Sequence, residues 1–176
     1  ALLTSVSDRS EKVIEYIREC RDLKISILKP DINRSNSYFS VEGKDIRYAL
    51  SSIKNIGIKV IDEIVQERNE NGKFQSFEDF IKRIPPNNLS KRLVESLIKA
   101  GCCDSIYPNR ASLIAGYEKV IEIVQSQKKQ SIQGQVTLFL NQESTSSENL
   151  NFFPHISDFS ITEKLYMEKE TIGLYL

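Results

Sequence analysis

The residues best suited to chemistry form a short turn followed by the start of a helix, at positions 53–64. Asn55 and Gly57 stand on either side of Ile56, and Asn and Gly tolerate unusual backbone angles at the lowest cost. From Gly57 onwards apolar residues repeat at helical spacing, and Lys59 lies in the first turn. A helix start leaves backbone N–H groups unpaired and pointing outwards. Such an arrangement binds anions, of which phosphate is the usual one.

This stretch resembles the helix-hairpin-helix motif, in which the hairpin holds a nucleic-acid phosphate. The motif prefers glycine at the position of Asn55. With Asn in this place, it stays open how closely a phosphate can approach the backbone. An ordinary glycine turn between packed elements gives the same pattern without any ligand. The candidate DNA-binding residues form one continuous segment: Lys54, Asn55, Ile56, Gly57, Ile58 and Lys59.

No catalytic set and no metal site can be assembled from the remaining residues. His155 is the single histidine, and the sequence contains neither a Ser–His–Asp group nor a Walker-type phosphate loop. The three cysteines include the adjacent pair Cys102 and Cys103 and lack C-x-x-C spacing. They argue against a disulfide framework or a zinc site and favour reduced cytoplasmic thiols. Carboxylates such as Asp62 and Glu63 lie beside basic residues and are expected to be solvated.

The composition is that of an ordinary globular protein, with 176 residues, 40% of them apolar and 27% charged. No apolar run approaches the roughly 18 residues of a membrane span, and no signal peptide opens the chain. The net charge is zero, but its distribution is uneven. A basic middle, residues 81–110, and an acidic stretch, residues 141–160, fit a phosphate-facing core with a solvated connector. The basic side chains of that middle are Lys82, Arg83, Lys91, Arg92, Lys99 and Arg110.

The elements that must position these residues are mainly helical, with a small β element at the N-terminal end. Asp8 predicts the cap of a helix that continues to about Asp22. An alternating run predicts a strand over residues 23–28, and residues 38–41 and 46–50 predict a β-hairpin around 42–45. The first helix of the helix-hairpin-helix is then a single turn, residues 49–53.

Downstream, the pattern predicts a second, degenerate hairpin that packs against the first. The helix after Gly57 is predicted to end at Asn71-Gly72. The spacing of the phenylalanines in the next helix predicts that they belong to the core rather than to a base-stacking surface. Pro85-Pro86 is predicted to interrupt the helical structure before a further helix, which ends at Gly101. Asn109 caps a further helix with an apolar stripe up to Val124. A last helix is predicted over residues 161–170, with Ile161, Leu165 and Tyr166 facing inwards.

Residues 135–139 carry apolar side chains between two polar segments that cannot bury them locally. Exposed apolar anchors in such a segment indicate a partner's pocket. The pattern Gln135-x-x-Leu138-Phe139 resembles the peptide with which bacterial replication proteins bind the ring-shaped β sliding clamp. The alternative is that Leu138 and Phe139 fold back onto the domain.

The order of these motifs resembles the bacterial C-family replicative DNA polymerase, the DNA polymerase III alpha subunit, over essentially the whole chain. Lys29, where a proline is more usual, and Asn55 are departures from the family pattern. The chain lacks an initial Met and ends in an apolar run, so a piece of a longer protein is expected. The segments that carry the resemblance are residues 11–20, 27–33, 53–57, 97–101 with Asp104, 135–139 and 168–176.

The resemblance implies four regions: the end of the fingers (1–45), a tandem helix-hairpin-helix domain (46–126), a linker with the clamp-binding peptide (127–160) and the lead-in to an OB-fold (161–176). It implies a cytoplasmic parent protein that is a DNA-directed DNA polymerase, a nucleotidyltransferase whose Mg²⁺-binding carboxylates lie outside this chain. The segment itself is expected to be non-catalytic and without a cofactor. Its expected partners are primer–template duplex, the β sliding clamp and other replicase subunits. A protein-interaction module with a purely structural hairpin, or a DNA-repair accessory domain, is the alternative.

Overall fold

The structure of the chain is a computed structural model that describes residues 2–5, 10–132 and 153–175. Within these ranges a mainly helical architecture carries a small three-stranded sheet near the N-terminal end, which confirms the predicted fold class. The α-helices are α1 (Leu2–Ser5), α2 (Ser10–Asp22), α3 (Ile58–Asn71), α4 (Phe77–Arg83), α5 (Lys91–Lys99), α6 (Arg110–Ile132) and α7 (Ile161–Ile172). The strands are β1 (Ile27–Leu28), β2 (Ser40–Glu42) and β3 (Asp45–Arg47), and two 3₁₀ helices span Leu50–Ser52 and Pro86–Asn88.

The sheet contains the predicted β-hairpin and one strand shorter than predicted. Strands β2 and β3 pair antiparallel with Val41 opposite Ile46, and β1 adds to β3 in parallel. The strand predicted from residue 23 begins only at Ile27. Leu23 and Lys24 instead donate backbone hydrogen bonds to carbonyls in the last turn of α2, and Lys24 adopts a left-handed φ of 59°. These bonds extend the end of the helix and exclude strand pairing.

The Phe-rich segment forms the centre of the core, as predicted. Phe74, Phe77 and Phe80 are each no more than 2% exposed. The rings of Phe74 and Phe80 meet edge to face, with their centroids 5.3 Å apart, a favoured geometry for aromatic pairs. Asn109 caps α6 by accepting a hydrogen bond from the Ser112 N–H at 2.9 Å. The tandem helical region is thus built around one apolar cluster.

Both ends of the predicted linker, residues 127–160, belong to folded structure. Helix α6 continues to Ile132. After the undescribed residues, Phe153 is buried with its ring centroid 4.7 Å from that of Tyr107. The Ser112 hydroxyl donates to the Pro154 carbonyl at 2.8 Å. The polar composition predicted a linker, but the buried Phe153 and the hydrogen bond to Pro154 anchor its C-terminal end.

Helix α7 has the predicted position but a different inward face. Ile161 is 78% and Tyr166 64% exposed, which corrects their predicted inward orientation, and Leu165 is half-buried. Glu168, Thr171 and Ile172 are buried instead. Ser160 and Glu163 form a capping box that fixes the start of the helix. The inward face is partly polar because Glu168 pairs with a buried arginine of α6.

Candidate nucleic-acid interface

The predicted hairpin is present and connects the Leu50–Ser52 3₁₀ helix to α3. That 3₁₀ helix is the single turn expected as the first helix of the motif. Asn55 adopts the left-handed conformation with a φ of 67°, the region that favours glycine. The motif's preference for glycine there is a backbone requirement, and Asn meets it because it is among the non-glycine residues that reach this region most easily.

The six predicted DNA-binding residues divide into one anchor and five that face solvent. Ile56 is half-buried and packs against the core cluster. The exposed residues are Lys54, Asn55, Gly57, Ile58 and Lys59. Ile58 is 38% exposed although it is large and apolar. The turn is therefore anchored by Ile56 and presents its backbone and two lysines outwards.

The N-terminus of α3 is open to a ligand. Gly57 is the N-cap residue and offers no side chain to the helix, and the first turn contains no acidic residue. The first intrahelical bond observed here runs from the Ile61 N–H to the Gly57 carbonyl. Because the N–H groups that precede it have no partner within a helix, and because the helix dipole makes this end positive, the turn has the geometry of an anion site.

A third cation reaches the hairpin from α5. The Arg92 guanidinium donates from Nη2 to Asn55 Oδ1 at 2.6 Å. Among the described residues, neither Lys54, Lys59 nor Arg92 forms an ion pair. The sequence placed Arg92 in the basic middle but did not assign it to the hairpin. Arg92 lies in the first turn of the helix that follows Pro85-Pro86. That position was the signal that could have assigned it to the hairpin.

Most of the basic middle, from which a phosphate-facing core was expected, is neutralised by carboxylates. Arg83 pairs with Glu67 at 2.8 Å and Lys99 with Glu95 at 3.0 Å. The hydrogen bond from Lys91 to Glu118 raises the pKa of that lysine. Of the six cations in this stretch, only Lys82 and Arg92 have no carboxylate partner among the described residues. Of these two, Arg92 lies at the first hairpin.

The hairpin backbone rests on α7. The Lys54 N–H donates to the Thr171 carbonyl at 2.9 Å. One turn earlier, Glu168 is 1% exposed, and its Oε1 accepts from Arg110 Nη2 at 2.8 Å and from Lys29 Nζ at 3.0 Å. Arg110 Nη2 also contacts Asp104 at 2.6 Å. A buried ionic cluster thus holds the helix that supports the hairpin.

The positive charge of Arg110 in this cluster is strongly favoured. Burial lowers the pKa of the Arg110 guanidinium, but hydrogen bonds and attraction from Asp104 and Glu168 outweigh burial and raise it above its usual value. The arginine therefore stays charged at every accessible pH. This buried cluster was not predicted from sequence.

The remaining candidates lie away from the hairpin. Burial raises the pKa of the Cys102 and Cys103 thiols, which makes them poor nucleophiles. His155 is exposed. Within residues 2–5, 10–132 and 153–175, no group of three or more His, Cys, Asp or Glu side chains could hold a metal ion. No helix of these ranges is long and apolar enough to cross a membrane. Gln135, Leu138 and Phe139 lie outside the described residues, as does Asp8.

The second hairpin packs beside the first, as predicted. It consists of α4, the Pro86–Asn88 3₁₀ helix and α5. Asn88 donates a hydrogen bond to Glu63 of α3, and Ser90 caps α5 by accepting from the Leu93 N–H. The two hairpins are thus joined through Asn88 and through Arg92.

Comparison with known proteins agrees with this geometry. A family model described as "Helix-hairpin-helix motif" matches residues 24–113. DNA polymerase III subunit alpha of Borreliella burgdorferi is 40% identical over 177 residues, covering 100% of this chain and 15% of that protein. The proteins of the same name from Mycobacterium tuberculosis and Thermus aquaticus are each 37% identical over 99% and 100% of this chain, which covers 15% and 14% of their lengths.

The chain therefore spans about one seventh of the length of these curated relatives. The resemblance to DNA polymerase III alpha subunits is confirmed along its whole length. The matched model covers both hairpins and the sheet before them. The chain thus belongs to the helix-hairpin-helix family.

Proposed function

We propose that this chain is a non-catalytic segment of a bacterial replicative DNA polymerase that holds primer–template duplex behind the active site. The observation that carries the proposal is the hairpin, an uncapped helix N-terminus surrounded by three cations without carboxylate partners among the described residues. The similarity to DNA polymerase III alpha subunits supports DNA as the ligand. Polymerase chemistry and its Mg²⁺ belong to the longer protein.

The hairpin suits sequence-independent binding. Backbone N–H groups and lysines contact phosphates, and phosphate contacts fix position without reading bases. Attachment to α7 and to α5 preorganises the turn, so little ordering is required when DNA binds. A polymerase that moves along any sequence needs this kind of contact.

Removing the hairpin lysines is expected to weaken duplex binding and its salt dependence. In the Lys54→Ala plus Lys59→Ala variant, the slope of log K against log salt falls by about two, because each lysine that neutralises a phosphate contributes about one. Fluorescence anisotropy with a dye-labelled blunt duplex, over a salt titration, measures it. Lys44→Ala plus Lys73→Ala, which removes two exposed cations elsewhere, is the matched control and keeps the wild-type slope. Equal slopes in all three proteins would contradict phosphate binding at the hairpin.

The Gly57→Val variant is designed to block the approach of a ligand to the hairpin backbone with little effect on folding. A Cβ at Gly57 would meet nothing within 4 Å, and φ is −80°, which any residue adopts. The loss of stability is therefore limited to about 1 kcal/mol, the cost of a poor N-cap. The new side chain stands where a phosphate would approach the N–H groups, so duplex affinity is expected to fall while the thermal midpoint changes little. Unchanged affinity would favour a protein-interaction module whose hairpin only packs.

We also propose that Gln135, Leu138 and Phe139 bind the β sliding clamp. The Q-x-x-L-F pattern and the similarity of the whole chain to polymerase alpha subunits support it. Leu138→Ala plus Phe139→Ala is expected to abolish binding to the purified clamp in surface plasmon resonance, because apolar anchors supply most of such affinity. Val136→Ala plus Thr137→Ala alters the same peptide outside the pattern and is the control. Equal binding by both double variants would refute the assignment. Tethering to the clamp would raise the effective concentration of DNA at the hairpin.

A further inference from the structure

A cationic cleft lies between α2 and the C-terminal end of α7, beside the hairpin but sharing none of its residues. Its volume is about 260 Å³. Ile14 and Ile17 supply apolar surface, and the polar lining is Arg18, Arg21, Lys169 and the backbone and ring of Tyr175. Gly173 ends α7 with a φ of 92°, and the chain that follows lines the cleft up to Tyr175.

The three cations have no charged partner in the cleft among the described residues. Arg21 Nη2 donates to the Tyr175 carbonyl at 2.7 Å, and Lys169 Nζ lies 4.9 Å from the centroid of the Tyr175 ring. The Arg18 side chain has no hydrogen bond among the described residues, and none of the three forms an ion pair there. The negative end of α7 compensates part of this charge, but three like charges around a small cleft still repel one another.

No carboxylate of α2 or α7 is among the residues that line the cleft. On α7, Glu168 is buried against Arg110 and Glu170 pairs with Lys99. On α2, Glu15 pairs with Lys12, and Glu19 lines a separate apolar groove. Asp22 is not among the residues that line the cleft. The uncompensated positive charge therefore calls for an anion from outside the chain.

The neighbouring hairpin indicates which anion. The last turn of α7 contacts both places, because Thr171 accepts the Lys54 N–H and Gly173 lines the cleft. Tyr175 is 43% exposed, and an exposed ring beside cations can stack an unpaired base. Bases in a duplex are stacked on one another and cannot reach such a ring. We propose that this cleft binds single-stranded DNA, with Arg18, Arg21 and Lys169 on phosphates and Tyr175 against a base.

The test uses the whole chain and a dye-labelled oligothymidylate of about 12 nucleotides, within the usual site size of such proteins. Wild-type protein binds it at low salt. Arg18→Ala plus Lys169→Ala weakens binding about tenfold and leaves affinity for a blunt duplex within about twofold. Tyr175→Leu also weakens oligothymidylate binding, since the aromatic face is removed. Lys44→Ala plus Lys73→Ala, with the same change in net charge, leaves it unchanged.

Several results would overturn the proposal. Absence of oligothymidylate binding by the wild-type protein at low salt refutes the site outright. If the Lys44/Lys73 control loses as much oligothymidylate affinity, the effect is due to net charge alone. If Arg18→Ala plus Lys169→Ala loses duplex affinity to the same extent, the cleft is not a separate site for single strands. Competition by inorganic tripolyphosphate as strong as by unlabelled oligothymidylate would show a general anion site. Because no hairpin residue is changed, any of these results leaves the proposed function untouched.

Discussion

Arg110→Met is expected to destabilise the protein by about 3–5 kcal/mol, the usual cost of removing one partner of a buried ion pair. Arg110 and Glu168 are each 1% exposed, and Glu168 Oε2 already has no hydrogen-bond partner. Without the guanidinium, Glu168 keeps only Lys29, whose side chain is half exposed. A carboxylate buried without adequate partners accounts for the loss. Chemical denaturation at neutral pH, with the free energy extrapolated to water, measures it.

Two further variants show whether burial is the cause. Lys91→Met removes the partner of Glu118 and Glu122 at the surface, and because exposed pairs contribute little, its stability is expected to stay close to that of the wild type. Arg110→Met combined with Glu168→Met removes both charges, and such apolar replacements are often tolerated. The double variant is therefore expected to be more stable than Arg110→Met alone. If the two losses simply add, the two side chains are not energetically coupled.

Much of the fold follows from local sequence patterns. The period of apolar residues and the glycines at positions 72 and 101 located the helices of the tandem region, because an apolar stripe that ends at a glycine with a positive φ has few alternative explanations. The Glu42–Asp45 turn located the β-hairpin for the same reason. The short 3₁₀ helix and the Asn55-Ile56-Gly57 turn were also predicted, since their residue types restrict the backbone.

The parts that could not be predicted depend on contacts between distant charges. A glutamate such as Glu168 in a helix is expected to be solvated, and only its pairing with Arg110, 58 positions away, makes it part of the core. That pairing also places Glu168 on the inward face of α7. The sequence predicted a different inward face because Ile161 and Tyr166 are apolar, although both are exposed. Arg92 was one cation among six until its bond to Asn55 placed it at the hairpin. Apolar periodicity contains no information about which charges meet.

Gly101→Ala is expected to destabilise the protein much more than Gly173→Ala, although both glycines follow helices with a positive φ, 81° and 92°. The left-handed backbone costs any alanine about 1–2 kcal/mol. At Gly173 a Cβ would meet nothing within 4 Å, whereas at Gly101 it would lie 2.3 Å from Arg110 Nη2 and 2.9 Å from its Cζ. The far end of an arginine usually moves aside, but this one is held by Asp104 and Glu168.

The alanine at position 101 must therefore displace a guanidinium whose movement breaks the buried cluster, and a total loss of about 3 kcal/mol or more follows from the cost of disrupting such a pair. Denaturation midpoints of both variants test the difference, with Gly173→Ala as the matched backbone control. In an Arg110→Met background the extra cost of Gly101→Ala is expected to shrink towards that of Gly173→Ala, because the fixed guanidinium is absent. Equal losses at the two glycines would mean that Arg110 yields without cost, and the cluster would then not be the rigid support that holds α7 beneath the hairpin.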